Sequence, residues 1–113
     1  MNNCLFCKII AGEIPSKKIY EDEHLYAFRD INPQAPQHIL IIPKKHIARI
    51  EDLHISDSNL MGEIVYTAKI IADDLGLVDG YRLVFNNGPF GGQEVEHIHC
   101  HLMGGRQFNW PAG

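Results

Sequence analysis

The chain has 113 residues, of which 45% are hydrophobic, and this is enough apolar material for one core but not for two. Its formal net charge of -4, with scattered lysines and arginines, argues against the broad basic surface that duplex nucleic acid requires. No run is apolar enough over a sufficient length to span a bilayer, and the N-terminus lacks the features of a secretory signal. We therefore expect one domain, residues 1–113, in the cytoplasm, with no membrane or duplex nucleic-acid partner.

The first stretch of the chain contains two of its three cysteines. Cys4, Cys7 and Cys100 make an odd number, which favours reduced thiols or metal ligands over a disulfide framework. Residues 4–12 are predicted to form a short helix that ends at Gly12, because Pro15 keeps the chain from resuming it. The apolar side of this helix is expected to cap the core.

Three strands are predicted next. Residues 18–21 and 25–29 are short, β-prone and separated by a polar turn, which indicates a hairpin. A loop with two prolines, residues 30–37, leads into the apolar run 38–43. Because this run has no polar alternation, it is predicted to be a central strand that is buried on both faces.

One long helix is predicted over residues 57–75, with Ser56 as its N-cap and Gly76 at its end. Its apolar residues recur at steps of three and four, so they form one stripe that a sheet must cover. The stripe consists of Leu60, Met61, Ile64, Val65, Ala68, Ile71, Ala72 and Leu75.

The last part of the chain contains the most informative pattern. After a predicted strand at 81–85 and a turn at 86–89, His97, His99 and His101 alternate with apolar residues through position 103. Period two predicts a strand with the three histidines on one face and the apolar residues in the core. Glycine pairs at 91–92 and 104–105 flank the strand, so backbone amides could approach a bound anion.

Three interpretations of these histidines remain open. They could be surface residues of a half-exposed strand, but three in strict alternation between two glycine pairs favour a functional site. They could share one metal ion, as histidines two apart on a strand can. They could also support covalent chemistry, because a neutral imidazole is a good nucleophile toward phosphorus near pH 7.

Short connections between most of the predicted strands argue for an α+β fold, with an antiparallel sheet and the helices packed on one face. Residues 106–113 contain aromatic residues without a periodic pattern, so this tail is expected to dock on another surface. A partner subunit is a reasonable candidate, because Trp110 would otherwise remain exposed.

The run from His97 to Met103 resembles the His-φ-His-φ-His-φ-φ signature of the histidine triad (HIT) family, and other segments resemble its HINT-like branch. The resemblance implies a HIT fold, with a five-stranded antiparallel sheet, one long helix and one short helix in each subunit. It also implies a homodimer in which the two sheets form one continuous ten-stranded sheet. The tail 106–113 would then dock near the partner's active site. The supporting segments are residues 6–15, 30–36, 42–46, 91–93 and 104–111.

The resemblance also implies a function. It indicates a purine nucleoside phosphoramidate hydrolase that releases AMP and an amine through a nucleotidyl-histidine intermediate. The implied ligands are AMP, GMP or their phosphoramidate derivatives, and catalysis requires no cofactor. A dinucleoside polyphosphate hydrolase, a nucleotidyl transferase and a non-catalytic nucleotide-binding scaffold are the alternatives, beside a metal-dependent enzyme.

Residue roles carry over by position. His99 resembles the nucleophile, held by an acceptor for its Nδ1 proton, while His101 and His38 match positions near the phosphate and His97 is the first triad histidine. Asp30 resembles a ribose-binding residue and Ile31 one that packs near the base. The remaining implied nucleotide-binding residues are Asn86, Gly92, Gln93, Glu94 and Val95.

Two features are particular to this chain. Glu94 stands where many relatives have a small hydroxyl residue and Glu96 replaces a tyrosine, so the substrate choice is open. Glu96 is expected on the face opposite the histidines. Some relatives with a similar pattern bind structural zinc, here through Cys4, Cys7, His46 and His97, although both cysteines could also be ordinary helix residues.

Overall fold

The computed structural model describes residues 3–113 and contains two α-helices and five strands. Between the third strand and the long helix the chain makes two 3-10 turns, which the sequence pattern did not indicate. In chain order the elements are α1 (Leu5–Ile10), β1 (Lys18–Glu21), β2 (Leu25–Arg29), β3 (Gln37–Pro43), the 3-10 turns Ile50–Asp52 and Ile55–Asp57, α2 (Ser58–Asp74), β4 (Tyr81–Val84) and β5 (Cys100–Gly104).

The five strands form one antiparallel sheet in the order β1-β2-β3-β5-β4. This confirms the predicted α+β class and the five-stranded sheet. Strand β3 lies in the middle, and six of its seven residues are buried, as expected for a strand covered on both faces. The register of β3 against β5 places Leu40 opposite His101 and His38 opposite Met103.

The two helices cover opposite faces of the sheet. Alternate residues of β3 enter different apolar clusters: Ile39 and Ile41 pack with α2, and Leu40 and Ile42 pack with α1. The expectation that both helices share one face is therefore wrong. The reason is that β2 and β3 are apolar at successive positions, so each face needs its own cover.

Helix α2 differs from its prediction in two details. It begins at Ser58, after a 3-10 turn that contains Ser56, so Ser56 is not its N-cap. Val65 is 48% exposed and does not belong to the buried stripe, although the other predicted stripe residues pack on the core. The helix ends as expected before Gly76, which adopts a positive φ of 71°.

The histidine strand is shorter than predicted. Strand β5 begins only at Cys100, so His97 and His99 precede it, in an irregular segment that connects β4 to β5. Cys100 and Leu102 enter the α2 cluster as expected, and His101 lies on the other face. Within residues 3–113, no helix has both the length and the apolarity needed to cross a membrane.

Candidate active site

A cavity of about 470 Å³ lies between α1 and the face of the sheet that bears His101. Its volume falls in the range of small-molecule sites, and its wall is mostly apolar with a few polar groups. The apolar wall includes Leu5, Phe6, Ile9, Ile14, Phe28, Leu40 and Val95, and the polar groups are Asp30, Asn32, Asn86, Glu94, His99 and His101.

His99 is held in one tautomer at the wall of this cavity. Its Nδ1 lies 2.7 Å from the backbone oxygen of His97, so Nδ1–H donates and the lone pair remains on Nε2. Burial lowers the pKa of His99, against a smaller raising effect of the hydrogen bond to His97. The imidazole is therefore neutral near pH 7, which is the state that a nucleophile requires.

His101 and His38 form a hydrogen-bonded pair of imidazoles. Leu40 and His38 lie on the same face of β3, which brings His38 diagonally across from His101 on β5. The Nε2 of His38 lies 2.9 Å from the Nδ1 of His101. Burial lowers the pKa of His101 to about 4, helped by His99 and His38, and burial also lowers the pKa of His38.

The backbone amide of Gln34 determines the proton positions in this pair. Its N–H donates to the Nδ1 of His38 at 3.0 Å, so neutral His38 carries its proton on Nε2. That proton is donated to the Nδ1 of His101, which leaves the proton of His101 on Nε2. Asp30 lies 3.5 Å from the same His38 nitrogen and favours this arrangement. No sequence pattern indicated this role of Gln34, because the contact uses a backbone amide, which every residue except proline has.

The other predicted nucleotide-binding residues occupy different parts of the cavity. Asp30 accepts the amide of Asn32 through Oδ1 at 2.8 Å, and Ile31 is 98% exposed at the cavity edge. Asn86 donates to the carbonyl of Gly91 at 2.8 Å, which fixes the loop that brings Gly92 to the cavity. Six predicted residues thus line the wall beside the two histidines: Asp30, Ile31, Asn86, Gly92, Glu94 and Val95.

Gln93 has a different position. Its side chain accepts from the amide of Gly88 and donates to the carbonyls of Ala48 and Val95, all at 2.8–2.9 Å. It is not among the residues that line the cavity, and its contacts hold the loop in shape. A direct contact of Gln93 with nucleotide stays a prediction.

The two glutamates are also separated. Glu94 is exposed and lines the cavity. Glu96 accepts from Arg49 at 2.8 Å and does not line it. Asp30 and Glu94 are the acidic groups of the wall, and in the described part of the chain no lysine or arginine joins them.

The glycine pairs serve packing more than ligand approach. A side chain at Gly91 would overlap the backbone of Asn87, and one at Gly105 would lie 2.9 Å from Pro36. Neither Gly104 nor Gly105 lines the cavity, so the glycine pair at the end of β5 does not provide amides to a ligand there. Of these four glycines, only Gly92 lines the cavity, as expected for a glycine whose backbone approaches a ligand.

His97 belongs to a second site, formed with Cys4, Cys7 and His46. Its Nδ1 lies 3.2 Å from the Sγ of Cys4, 3.6 Å from the Sγ of Cys7 and 3.2 Å from the Nδ1 of His46. The Sγ of Cys7 lies 3.4 Å from the same His46 nitrogen. All four donor atoms lie within 4.8 Å of one another. We refer to these four residues as the Cys/His centre.

These separations fit a tetrahedral zinc site. With Zn–N of about 2.0–2.1 Å and Zn–S of about 2.3 Å, ligand atoms at tetrahedral angles lie roughly 3.3–3.8 Å apart. The Nε2–H of His97 donates to the carbonyl of Pro43 at 2.8 Å, which leaves Nδ1 as the free ligand atom. Burial lowers the pKa of His97 to about 4, so the ring is neutral as a ligand must be.

The three histidines therefore do not converge on one metal ion. His97 faces the Cys/His centre, while His99 and His101 face the cavity. Such a division is the arrangement expected if His99 and His101 act on a ligand and His97 positions the segment.

The family model described as HIT domain matches residues 11–108. The chain belongs to the HIT domain family. The "14 kDa zinc-binding protein" of Zea mays is 56% identical, over 96% of this chain and 87% of that protein. "Adenylylsulfatase HINT1" of Arabidopsis thaliana is 50% identical, over 96% of this chain and 76% of that protein, which indicates the HINT-like branch.

The fold of this HIT protein closely matches a solved relative. The crystal structure of a HIT family hydrolase from Legionella pneumophila Philadelphia 1 superposes with a TM-score of 0.96 at 60% identity. The match covers 98% of this chain and 100% of that one. The HIT fold predicted from the sequence is therefore confirmed.

Proposed function

We propose that this HIT protein hydrolyses purine nucleoside phosphoramidates, releasing AMP and an amine through a nucleotidyl-histidine intermediate. The observation that carries the proposal is the 2.7 Å contact of His99 Nδ1 with the His97 carbonyl. It leaves Nε2 of a neutral, buried imidazole as the nucleophile at a cavity of nucleotide-compatible size. The relatives named hydrolase and adenylylsulfatase support a hydrolytic reaction at a nucleotide.

The first step exchanges one bond to phosphorus for another. The Nε2 lone pair of His99 attacks the α-phosphorus, the P–N bond to the amine breaks, and the amine leaves with that electron pair and a proton, which the carboxyl group of Glu94 in the cavity wall would donate. The imidazole becomes positively charged as the N–P bond forms. Its Nδ1–H hydrogen bond to the His97 carbonyl then becomes stronger, so the backbone stabilises the developing charge.

In the second step water replaces His99 on phosphorus. The water gives a proton to the Glu94 carboxylate left by the first step, its oxygen forms the new P–O bond, and the N–P bond breaks, so neutral His99 and AMP result. His101, neutral and with its proton on Nε2, would donate a hydrogen bond to a phosphate oxygen in both steps. His38 would hold His101 in this tautomer, and the amide of Gln34 in turn holds His38.

The rest of the cavity would bind the nucleoside. Asp30, with its side chain 19% exposed, offers carboxylate oxygens to the ribose hydroxyls, and Ile31 and the apolar wall offer surface to the base. Asn86 and Gly92, which line the same cavity as His99, would face the phosphate. These contacts apply to any purine nucleotide, so they do not select AMP over GMP.

Substrate comparison tests the proposal. We expect the protein, assayed in the presence of a metal chelator, to turn over adenosine phosphoramidate faster than adenylyl sulfate or a dinucleoside polyphosphate. Higher activity on adenylyl sulfate would favour the activity in the name of the Arabidopsis relative, and complete loss of activity in chelator would favour a metal-dependent enzyme. AMP binding without turnover of any of the three would leave only a nucleotide-binding scaffold.

We also propose that the Cys/His centre holds a structural zinc ion. The observed separations of 3.2–3.6 Å between its donor atoms support this assignment, as does the name of the Zea mays relative. The ion would be held by Cys4, Cys7, His46 and His97. It would cross-link α1 to the segment before β5. Metal analysis after purification without chelators should give about one zinc per chain, and a value near zero would refute the proposal.

We further propose a homodimer in which residues 106–113 lie near the partner's active site. The chain exposes apolar side chains along α2 and in the tail, where Trp110 is 85% exposed. Within its own chain the tail is held by surface contacts, namely Arg82 to the carbonyl of Asn109 at 2.6 Å and two arginines against the Phe108 ring. Such contacts leave the aromatic end available to a second copy.

A further inference from the structure

The Cys/His centre and the nucleotide cavity share one short helix. Cys4 caps the N-terminus of α1, where its Sγ accepts the amide of Cys7 at 3.4 Å. The same helix provides Leu5, Phe6 and Ile9 to the wall of the cavity. Any shift of α1 relative to the sheet therefore changes both sites at once.

A second connection runs through the backbone of His97. The ring of His97 is a member of the centre, while its carbonyl oxygen accepts the Nδ1–H of His99 at 2.7 Å. The position of this carbonyl decides where the Nε2 lone pair of His99 points. Displacement of the His97 ring would therefore move the acceptor that orients the proposed nucleophile.

Phe6 provides a third connection. Its ring lies edge-on to the rings of both His97 and His99, with centroids 5.8 Å and 5.0 Å away. Phe6 is 4% exposed, so this contact is part of a closely packed cluster. Packed contacts of this kind transmit displacement because they have little free volume to absorb it.

Helix α1 needs an external tether to keep this position. It has six residues, and helices this short are not stable on their own in water. Its buried side chains, Phe6 and Ile9, hold one side against the sheet. Its N-terminal end is fixed by Cys4 and Cys7 to His97 and His46, contacts that a tetrahedral ion would convert into coordinate bonds.

We propose that the Cys/His centre is a positioning element of the nucleotide site, so that zinc binding and AMP binding are coupled. Zinc bound to the centre fixes the α1 wall and the carbonyl that orients His99, and bound AMP fixes the same wall from the other side. Because coupling free energy is reciprocal, each ligand must raise the affinity for the other by the same factor. This inference rests on the proposed function and on the zinc site.

The test measures both affinities on the full chain. Zinc affinity is obtained by competition with a chelating dye, with and without saturating AMP, and AMP affinity is obtained by calorimetry on zinc-loaded and metal-free protein. We expect both ratios to be about fivefold or larger, the lower end of typical allosteric coupling, and to agree with each other. Ratios below fivefold would overturn the inference.

Two variants on α1 control the experiment. Cys7→Ser removes one donor of the centre, so its AMP affinity should equal that of metal-free wild type and should not respond to zinc. Lys8→Ser places the same residue at the neighbouring position, outside both the centre and the cavity wall, and should keep the coupling. If Cys7→Ser does not fold, the wild-type ratios alone decide the question.

The possible failures can be told apart. Zinc and AMP that both bind, with independent affinities, would overturn the coupling and leave the proposed function intact. Failure of AMP to bind zinc-loaded protein would overturn the proposed function and, with it, the coupling. Absence of zinc binding would overturn the coupling and the metal assignment but not the phosphoramidate chemistry.

Discussion

Replacement of His99 by alanine should abolish turnover while leaving the nucleotide site in place. His99 supplies the only imidazole of the cavity whose Nδ1–H is bonded to a backbone carbonyl and whose Nε2 is thereby free to attack, within the part of the chain that the structure describes. Without it, no covalent intermediate can form. The expected loss in kcat is roughly 10,000-fold or more, as found when a covalent nucleophile is removed from other enzymes.

The same substitution has a limited effect on stability. It leaves the buried carbonyl of His97 without its donor, which costs about 1–3 kcal/mol for an unsatisfied buried group. A domain of this size has about 5–15 kcal/mol of stability, so most of the protein should remain folded. AMP binding should survive, because the rest of the cavity wall is unchanged.

Single-turnover assays with adenosine phosphoramidate and intact-protein mass spectrometry measure the two consequences. Wild type should show a transient nucleotidyl adduct that maps to His99, and His99→Ala should show neither adduct nor turnover while calorimetry still detects AMP. His54→Ala, at an exposed histidine away from the cavity, is the matched control and should behave as wild type. An adduct on another residue, or a variant rate within tenfold of wild type, would refute the assignment.

Four further predictions concern His101, Glu94, the tail and assembly. Burial lowers the pKa of His101 to about 4, whereas an unfolded chain gives histidine a pKa of about 6.5. Between these pH values the unfolded chain therefore binds a proton that the folded protein does not. The free energy of unfolding should be highest above pH 6.5 and fall toward pH 4. Urea titrations should show a smaller fall for His101→Asn, and an unchanged fall would contradict this origin. Glu94→Gln should slow phosphoramidate turnover more than adenylyl sulfate turnover in parallel assays, since only an amine needs a donated proton to leave; equal slowing would remove Glu94 from the proton path. Deletion of residues 107–113 should change the ratio of kcat/KM values between substrates more than the urea midpoint, because the tail makes surface contacts only, and loss of folding would count against this. Sedimentation at micromolar concentration should show twice the chain mass of 12.8 kDa, and a single species at 12.8 kDa would exclude the dimer.

Several features of the fold could be predicted from local pattern. The apolar run around Ile39–Ile42 could only be a central strand, and the three- and four-residue steps of α2 required a sheet beneath it. The predicted ends and buried faces of these elements were less accurate than their predicted type. Ser56 has the chemistry of an N-cap, but a 3-10 turn stabilised by the carboxylate of Asp57 occupies that position. Val65 fits the apolar period and yet lies outside the contact with the sheet.

The candidate site shows the same division. The alternation of His97, His99 and His101 marked the functional segment, and the family resemblance added His38. The strand period placed all three on one face, whereas β5 begins only at Cys100 and the irregular backbone before it turns His97 toward the cysteines. Hydrogen bonding of residue 98 to the carbonyl of residue 47 fixes that segment, and no local pattern encodes such a contact.

By itself the sequence determined the α+β class, the central strand, the long helix and the residue types available for phosphorus and metal chemistry, because these depend on period and composition. Only the tertiary structure decided that the helices cover opposite faces and that His97 and His99 belong to different sites. It alone also assigned the tautomers of His99 and His101, through the His97 carbonyl and the Gln34 amide. The physical reason is that these properties depend on backbone groups brought together from distant parts of the chain, and every residue carries the same backbone groups.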